Sequence, residues 1–154
     1  MLIRKAMIKD LDEIHKLNMK LVTEGYALSK LKNPKTIEKI YYNYYRKMFK
    51  NKNSLFLVAE EEGKIIGYCL GEIFRPKKVC KYEIAGYISD MYILKGYRKM
   101  GIGQELVKEL MKWFRSRKIR WVKLHVDVHN KDSISFWRKM EFKDFMIEMD
   151  TLLK

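Results

Sequence analysis

The sequence predicts one mixed α/β domain, spanning residues 1–154, around a single central sheet. Two observations carry that prediction. The 154-residue chain has the length of one ordinary domain and can bury a real core. Short apolar runs alternate with segments of helical spacing in the order β-α-α-β-β-β-α-β-α-β, with no repeat, low-complexity tract or linker between them.

LIRKA (2–6) reads as a short strand. Asp10 then caps a helix whose apolar face is Leu11, Ile14, Leu17, Leu21 and Val22. TEGYALSKLK (23–32) reads as a loop. Asn33 and Pro34 suit the cap and first turn of a helix over 33–49, with Ile37, Ile40, Tyr41, Tyr44, Tyr45 and Met48 on one face. Such a tyrosine face is usually core, but it can also line a pocket, since each ring has an apolar body and a polar tip. SLFLVAEE (54–61) and KIIGYCLGEIF (64–74) form two strands joined at Gly63. The basic connector RPKKVCK leads to a strand over 83–94. A helix over 101–117 turns Ile102, Leu106, Leu110, Trp113 and Phe114 inward. RWVKLHVDVH (120–129) alternates Val122, Leu124, Val126 and Val128 against Lys123, His125, Asp127 and His129, which predicts a strand. A short helix over 130–140 and a final strand, EFKDFMIEMDTLL, close the chain.

Composition narrows the function classes. Hydrophobic residues make up 47% and charged residues 34%, a globular balance. No apolar run reaches the ~18 residues of a membrane span, and MLIRKAMIKD lacks a signal-peptide core. The cytoplasm is the expected compartment, with no membrane partner. Cys69 and Cys80 have neither metal nor redox spacing. The net charge of +14 favours anionic partners: nucleic acid, an acidic protein or a phosphorylated cofactor. The lysines are spread along the chain without an RNP motif, so nucleic-acid binding is not expected as the main function.

YRKMGIG (97–103) sits where a strand meets a helix. The first amides of a helix have no partner inside it, and the helix dipole adds positive charge there. Gly101 and Gly103 let an anion approach the backbone, and Arg98 and Lys99 add full charges. Together they suit a pyrophosphate. Neither a Walker A run nor a GxGxxG fingerprint is present. A glycine-bearing tight turn with surface cations remains the simpler alternative for the turn alone.

The run from Arg98 to Gly103 resembles the R/Q-x-x-G-x-G/A signature of the GNAT superfamily of acetyl-CoA-dependent N-acetyltransferases. DMYILKGYRKMGIGQELV is similar to that family's fourth strand, phosphate loop and third helix, LHVDVHNKDSISFWRKMEF to its fifth strand and fourth helix, and RKAMIKDLDEIHKL to its opening strand and helix. The resemblance implies an α/β (α+β) fold with a mostly antiparallel sheet and helices on both faces. It also implies acetyl-CoA as donor and a primary amine as acceptor, a small molecule or a protein N-terminus or lysine, with direct attack in a ternary complex and no metal.

Residue by residue, the resemblance implies that the backbones of Arg98, Lys99, Met100, Gly101, Ile102, Gly103 and Gln104 hold the pyrophosphate. Met91, Tyr92 and Ile93 would line the pantetheine arm, with the Met91 amide polarising the thioester carbonyl. Asn130 and Ser133, opening the last helix, would meet the cofactor arm; Asn130 alternatively only caps that helix. Asp90 is the candidate base, with Glu83, Asp127 and His129 as weaker ones. His125, Asp127 and His129 share one predicted strand face but lack a metal-site spacing.

Two positions depart from the family pattern. Trp137 stands where a tyrosine usually protonates the departing thiolate, and indole cannot act as such an acid. The thiolate could take its proton from solvent, Tyr92, Tyr87 or a tyrosine of helix 33–49 could substitute, or the fold could serve as a non-catalytic acyl-CoA-binding regulator. Glu141 stands where a glycine usually precedes Phe142. The acceptor groove is expected between helices 8–24 and 33–49, the 75–81 connector and the last strand. The basic balance disfavours a strongly cationic acceptor unless Glu60, Glu61, Glu72, Glu83 or Asp90 cluster. A homodimer is expected by analogy with such folds.

Overall fold

The computed structural model describes residues 1–24, 33–151 and 153. Most of the predicted loop over 23–32 lies outside the described residues; its first two, Thr23 and Glu24, complete the first helix. The chain forms β1 (Leu2–Lys5), α1 (Leu11–Glu24), α2 (Pro34–Lys50), β2 (Ser54–Glu61), β3 (Lys64–Phe74), β4 (Ala85–Ile93), α3 (Ile102–Ser116), β5 (Val122–Leu124) and α4 (Lys131–Lys139). The sheet order is β1-β2-β3-β4-β5. The first four strands are antiparallel and β5 joins β4 in parallel, so the sheet is mixed and mostly antiparallel.

Local chemistry explains the boundaries. The Asn33 side chain accepts the Thr36 amide at 3.0 Å, with Pro34 in the first turn of α2. Asp10 lies inside a 3-10 turn before α1 rather than at its cap. Its carboxylate accepts the Met7 amide at 2.7 Å and both terminal guanidinium nitrogens of Arg4, and it is buried there. The β2–β3 hairpin turns through Glu62 and Gly63, both left-handed at φ 49° and 76°, the pairing that matches strand twist.

Strand alternation divides the core into two layers. Leu55, Leu57, Ile66 and Ile88 meet Leu106, Leu110 and Phe114 of α3 and Trp137 of α4. Phe56, Val58, Tyr68 and Leu70 point the other way, to Ile14 and Leu17 of α1 and Tyr45 of α2. Helices therefore cover both faces, which is why β2 and β3 read as nearly continuous apolar runs.

Two predicted strands come out differently. β5 ends at Leu124, and Val126 and Val128 are exposed. Pairing with β4 stops at Ile88↔Leu124, and beyond it a polar turn takes over. The Asp127 side chain accepts the His129 amide at 2.8 Å and its carbonyl accepts the Asn130 amide, steering the chain into α4. The final strand is not formed among the described residues. A strand needs an edge, and the three residues of β5 offer little of one. Phe145, Met146, Ile147 and Met149 are instead exposed, and the Arg138–Asp144 ion pair fastens the segment's start to α4.

Candidate active site

A β-bulge organises the site. Leu70 faces Asp90 while Gly71 faces Ile88, so Ser89 is an extra residue on β4. Without it Ile88 and Asp90, two apart, would share a face. With it, Ile88 joins the α3 layer and Asp90 turns to the α1/α2 layer. The bulge also resets the backbone. The Gly86 amide donates to Trp121 on the β5 side, whereas the Leu94 amide donates to Ile66 on the β3 side. Alternation back from Leu94 turns the amides of Met91 and Ile93 toward the edge that β5 has left. That unpaired edge begins just past Ile88, where β5 stops.

The phosphate-loop candidates lie at the end of this edge. Lys99 and Gly101 are left-handed, at φ 64° and 83°. The first helical bond of α3 runs from the Glu105 amide to the Gly101 carbonyl at 3.1 Å, leaving the amides of Ile102, Gly103 and Gln104 at the open helix start. A Cβ at Gly103 would stand 3.3 Å from the Phe136 ring and 3.8 Å from Met91 Cε. Loop, β4 edge and α4 thus converge on Gly103. The cradle suits a pyrophosphate through backbone amides.

Arg98 is used differently. Its amide turns back to the Lys95 carbonyl. Its guanidinium lies 5.1 Å from the centre of the Tyr92 ring, donates to the Ile93 carbonyl at 2.9 Å and pairs with Glu24 at 2.9 Å. Glu24 also accepts the Tyr92 hydroxyl at 2.7 Å. Burial works against the Glu24 carboxylate, but Arg98, Tyr92 and Lys95 together hold it below its ordinary range. This junction of α1 with the loop was not foreseen, because residues 24 and 98 are far apart in sequence and share no motif.

At the start of α4 the Asn130 side chain accepts the Ser133 amide at 3.1 Å, so the cap is real. Trp137 is buried between Phe136 and Phe142, with ring centres 5.0 and 5.3 Å away. The Glu141 amide donates to Arg138 and the Phe142 amide to Trp137, the paired bonds of a glycine-type helix end. Glu141 makes this turn at φ 67°, accepting the ~1 kcal/mol strain that glycine avoids. The departure from the family pattern leaves the geometry intact.

Asp90 is partly accessible at its surface yet closely surrounded by protein. It accepts the Tyr45 hydroxyl at 2.9 Å. Desolvation pushes its carboxyl up to about 6, the Tyr45 bond pulls it back, and the neighbouring charge of Glu72 adds to the rise. Glu72 in turn accepts the hydroxyls of Tyr44 and Ser89. Of the acidic residues considered for a local cluster, these two come together. Glu60 pairs with Arg4 and Glu61 with the N-terminus, while Glu83 is exposed before β4. Asp127 is engaged in its turn. His125, Asp127 and His129 do not share a strand face, because β5 ends before them. Among the described residues no group of three or more His, Cys, Asp or Glu is placed to hold a metal.

The candidate acids are also located. Tyr92 is spent on Glu24 and its phenol is pushed up to about 12, by burial and then by Glu24. Tyr87 lies 3.1 Å from His125 Nδ1. Burial and the nearby carboxylates raise the phenols of Tyr41, Tyr44, Tyr45 and Tyr87 as well.

Comparisons with known proteins agree with this architecture. The chain is similar to an N-alpha-acetyltransferase of Sulfurisphaera tokodaii, 27% identical over 150 residues that cover 94% of this chain and 81% of the relative. Its fold matches a variant of the BH1408 protein from Bacillus halodurans, at TM-score 0.82 and 19% identity with all of both chains covered. It also matches the aminoglycoside 6'-N-acetyltransferase AAC(6')-IG of Acinetobacter haemolyticus, at TM-score 0.79 and 17% identity over 100% of this chain and 99% of that one. Among the described residues no helix is long and apolar enough to cross a membrane. The acetyltransferase (GNAT) family profile matches residues 21–142, and the chain belongs to that family as an acetyl-CoA-dependent acetyltransferase.

Proposed function

We propose that the protein transfers acetyl from acetyl-CoA to a primary amine that arrives as an ammonium, with Asp90 as the base. The observation that carries this reading is Asp90 itself, a desolvated carboxyl held near 6 just beyond the point where β4 and β5 part. A base near the working pH combines a useful ionised fraction with real proton affinity. Asp90 and Glu72 give the α2 side of the site local negative charge in a chain of net charge +14. That charge draws an ammonium in.

Asp90 takes one proton from the ammonium, directly or through a water. The freed nitrogen lone pair then attacks the thioester carbon held beside the β4 edge. The Met91 amide stabilises the oxygen that gains charge. Collapse breaks the C–S bond and yields the amide and a thiolate, and the second nitrogen proton is lost to solvent. The thiolate takes its proton from water, since Trp137 has none to give and free thiols ionise only around pH 8–9. The Gly101–Gln104 backbone holds the pyrophosphate, and Asn130 contacts the cofactor arm with the amide nitrogen its cap leaves over. The match to an N-alpha-acetyltransferase supports the α-amine of a peptide as the first acceptor to test.

The test is thiol release from acetyl-CoA across a panel of peptide α-amines, lysine side chains and small alkylamines. At least one primary amine should raise release far above the amine-free rate. Release that no amine accelerates, despite bound acetyl-CoA, would defeat the reading.

A further inference from the structure

Asp90 sits at the end of a buried line of polar side chains that the reaction as written does not use. Tyr45, Tyr68 and Asn18 are each 0% exposed. Tyr45 Oη lies 2.9 Å from Asp90 Oδ2 and 2.9 Å from Tyr68 Oη. Tyr68 Oη accepts from Asn18 Nδ2 at 3.3 Å. The line therefore crosses from α1 through β3 and α2 to β4, linking four elements.

Proton counting fixes its direction. A carboxylate only accepts, so Tyr45 spends its one hydrogen on Asp90. Tyr68 must then donate to Tyr45, and the Asn18 amide nitrogen, which only donates, supplies Tyr68. We propose that Asn18, Tyr68 and Tyr45 form a chain of hydrogen-bond donors that holds Asp90 as an aimed carboxylate, with Tyr45 a positioning residue for amine deprotonation. Its part in catalysis rests on the reading of Asp90 as base.

One orphan atom supports the assignment. Asn18 Oδ1 is buried and finds no partner among the described residues. Such an atom costs stability unless something uses it. When Asp90 has taken the amine's proton, the chain can reverse: Asp90 donates to Tyr45 and Tyr45 to Tyr68. Tyr68 then needs an acceptor, which Asn18 Oδ1 provides once the amide turns over. An amide can end the chain in either direction, donating through its nitrogen or accepting through its oxygen. A serine or threonine there would do so only by a shorter reach.

The other titratable groups facing Asp90 are Glu72 and Cys69 on β3, Tyr41 and Tyr44 on α2, and Tyr87 on β4. The phenols and the Cys69 thiol are all held above their ordinary values by burial, so they do not titrate near neutrality. Glu72 is the charged neighbour that opposes the chain.

The test is a ¹³C NMR titration of the Asp90 carboxyl in the full-length protein, read together with the pH profile of kcat/KM. Tyr45→Phe should raise the Asp90 midpoint by on the order of one pH unit. Tyr68→Phe and Asn18→Leu should raise it by less, because the Tyr45 bond survives. Glu72→Gln should move it the other way. Folded variants in which the Asp90 midpoint stays at the wild-type value would overturn the chain, and Tyr68→Phe decides the matter if Tyr45→Phe does not fold. A midpoint that moves while the pH profile stays put supports the chain and rejects Asp90 as the base.

Discussion

The two faces of the sheet carry different kinds of chemistry. On one, α3 and α4 press Leu106, Leu110, Phe114 and Trp137 onto the strands, and the loop that opens α3 offers amides to a phosphate. On the other, α1 and α2 bring Asn18, Tyr44 and Tyr45 over Tyr68, Glu72 and Asp90. On the proposed reading the first face would bind through backbone geometry, which side-chain changes disturb mainly by bulk. The second, on the same reading, would work through protons, which single-atom changes disturb. Cofactor affinity and proton chemistry should therefore be separable by mutation.

The largest expected effect is on the cradle. Gly101→Glu forces a side chain onto a left-handed backbone at φ 83° and sets a carboxylate against the phosphates. Acetyl-CoA affinity should fall at least ~100-fold by calorimetry; unchanged affinity would remove the cradle assignment. Next comes Asp90→Asn, which should lower kcat by about 100- to 10,000-fold while leaving acetyl-CoA affinity as it was. A parallel loss of affinity would erase the separation between the faces.

Arg98→Ala sharpens the contrast from the other side. Although the motif suggests a phosphate ligand, the guanidinium is occupied by Glu24 and the Ile93 carbonyl. Affinity for acetyl-CoA should fall by less than about tenfold, and stability by about 1 kcal/mol or less for a half-exposed pair. A loss as large as that of Gly101→Glu would return Arg98 to the phosphates.

The smallest effect concerns His15, buried on α1 with both ring nitrogens unpartnered among the described residues and its ring 5.2 Å from Tyr42. Burial lowers its pKa from 6.5. The unfolded chain then binds a proton that the folded chain resists, so stability falls as pH drops below the unfolded value. His15→Leu should change stability by within about 1 kcal/mol at pH 7.5 and flatten its decline toward pH 5.5 in denaturant titrations. An undiminished decline would place the acid sensitivity elsewhere.

The same contrast explains what could be read from sequence. The proposed cradle is contiguous, from Arg98 to Gln104 between a strand and a helix, so spacing and helix-end physics could point to it in the sequence. Most of the strands and all four helices followed from periodicity. The polar cluster on the α1/α2 face is assembled from residues 18, 45, 68, 72 and 90, which only the topology brings together. Asp90 could be named as a carboxylate on the right strand. Its orientation could not, because the bulge at Ser89 reverses the alternation on which such a reading depends. β5 is shorter than the alternation predicts and the predicted last strand is not formed among the described residues, because apolar alternation signals a willingness to pair and not the presence of an edge.

The most direct measurement is the pH dependence of amine-stimulated thiol release at saturating acetyl-CoA, in the wild type and in Asp90→Asn. The wild-type rate should rise with pH through a single limb near 6, and Asp90→Asn should lose both the limb and most of the rate. A limb that persists unchanged in Asp90→Asn would contradict the account.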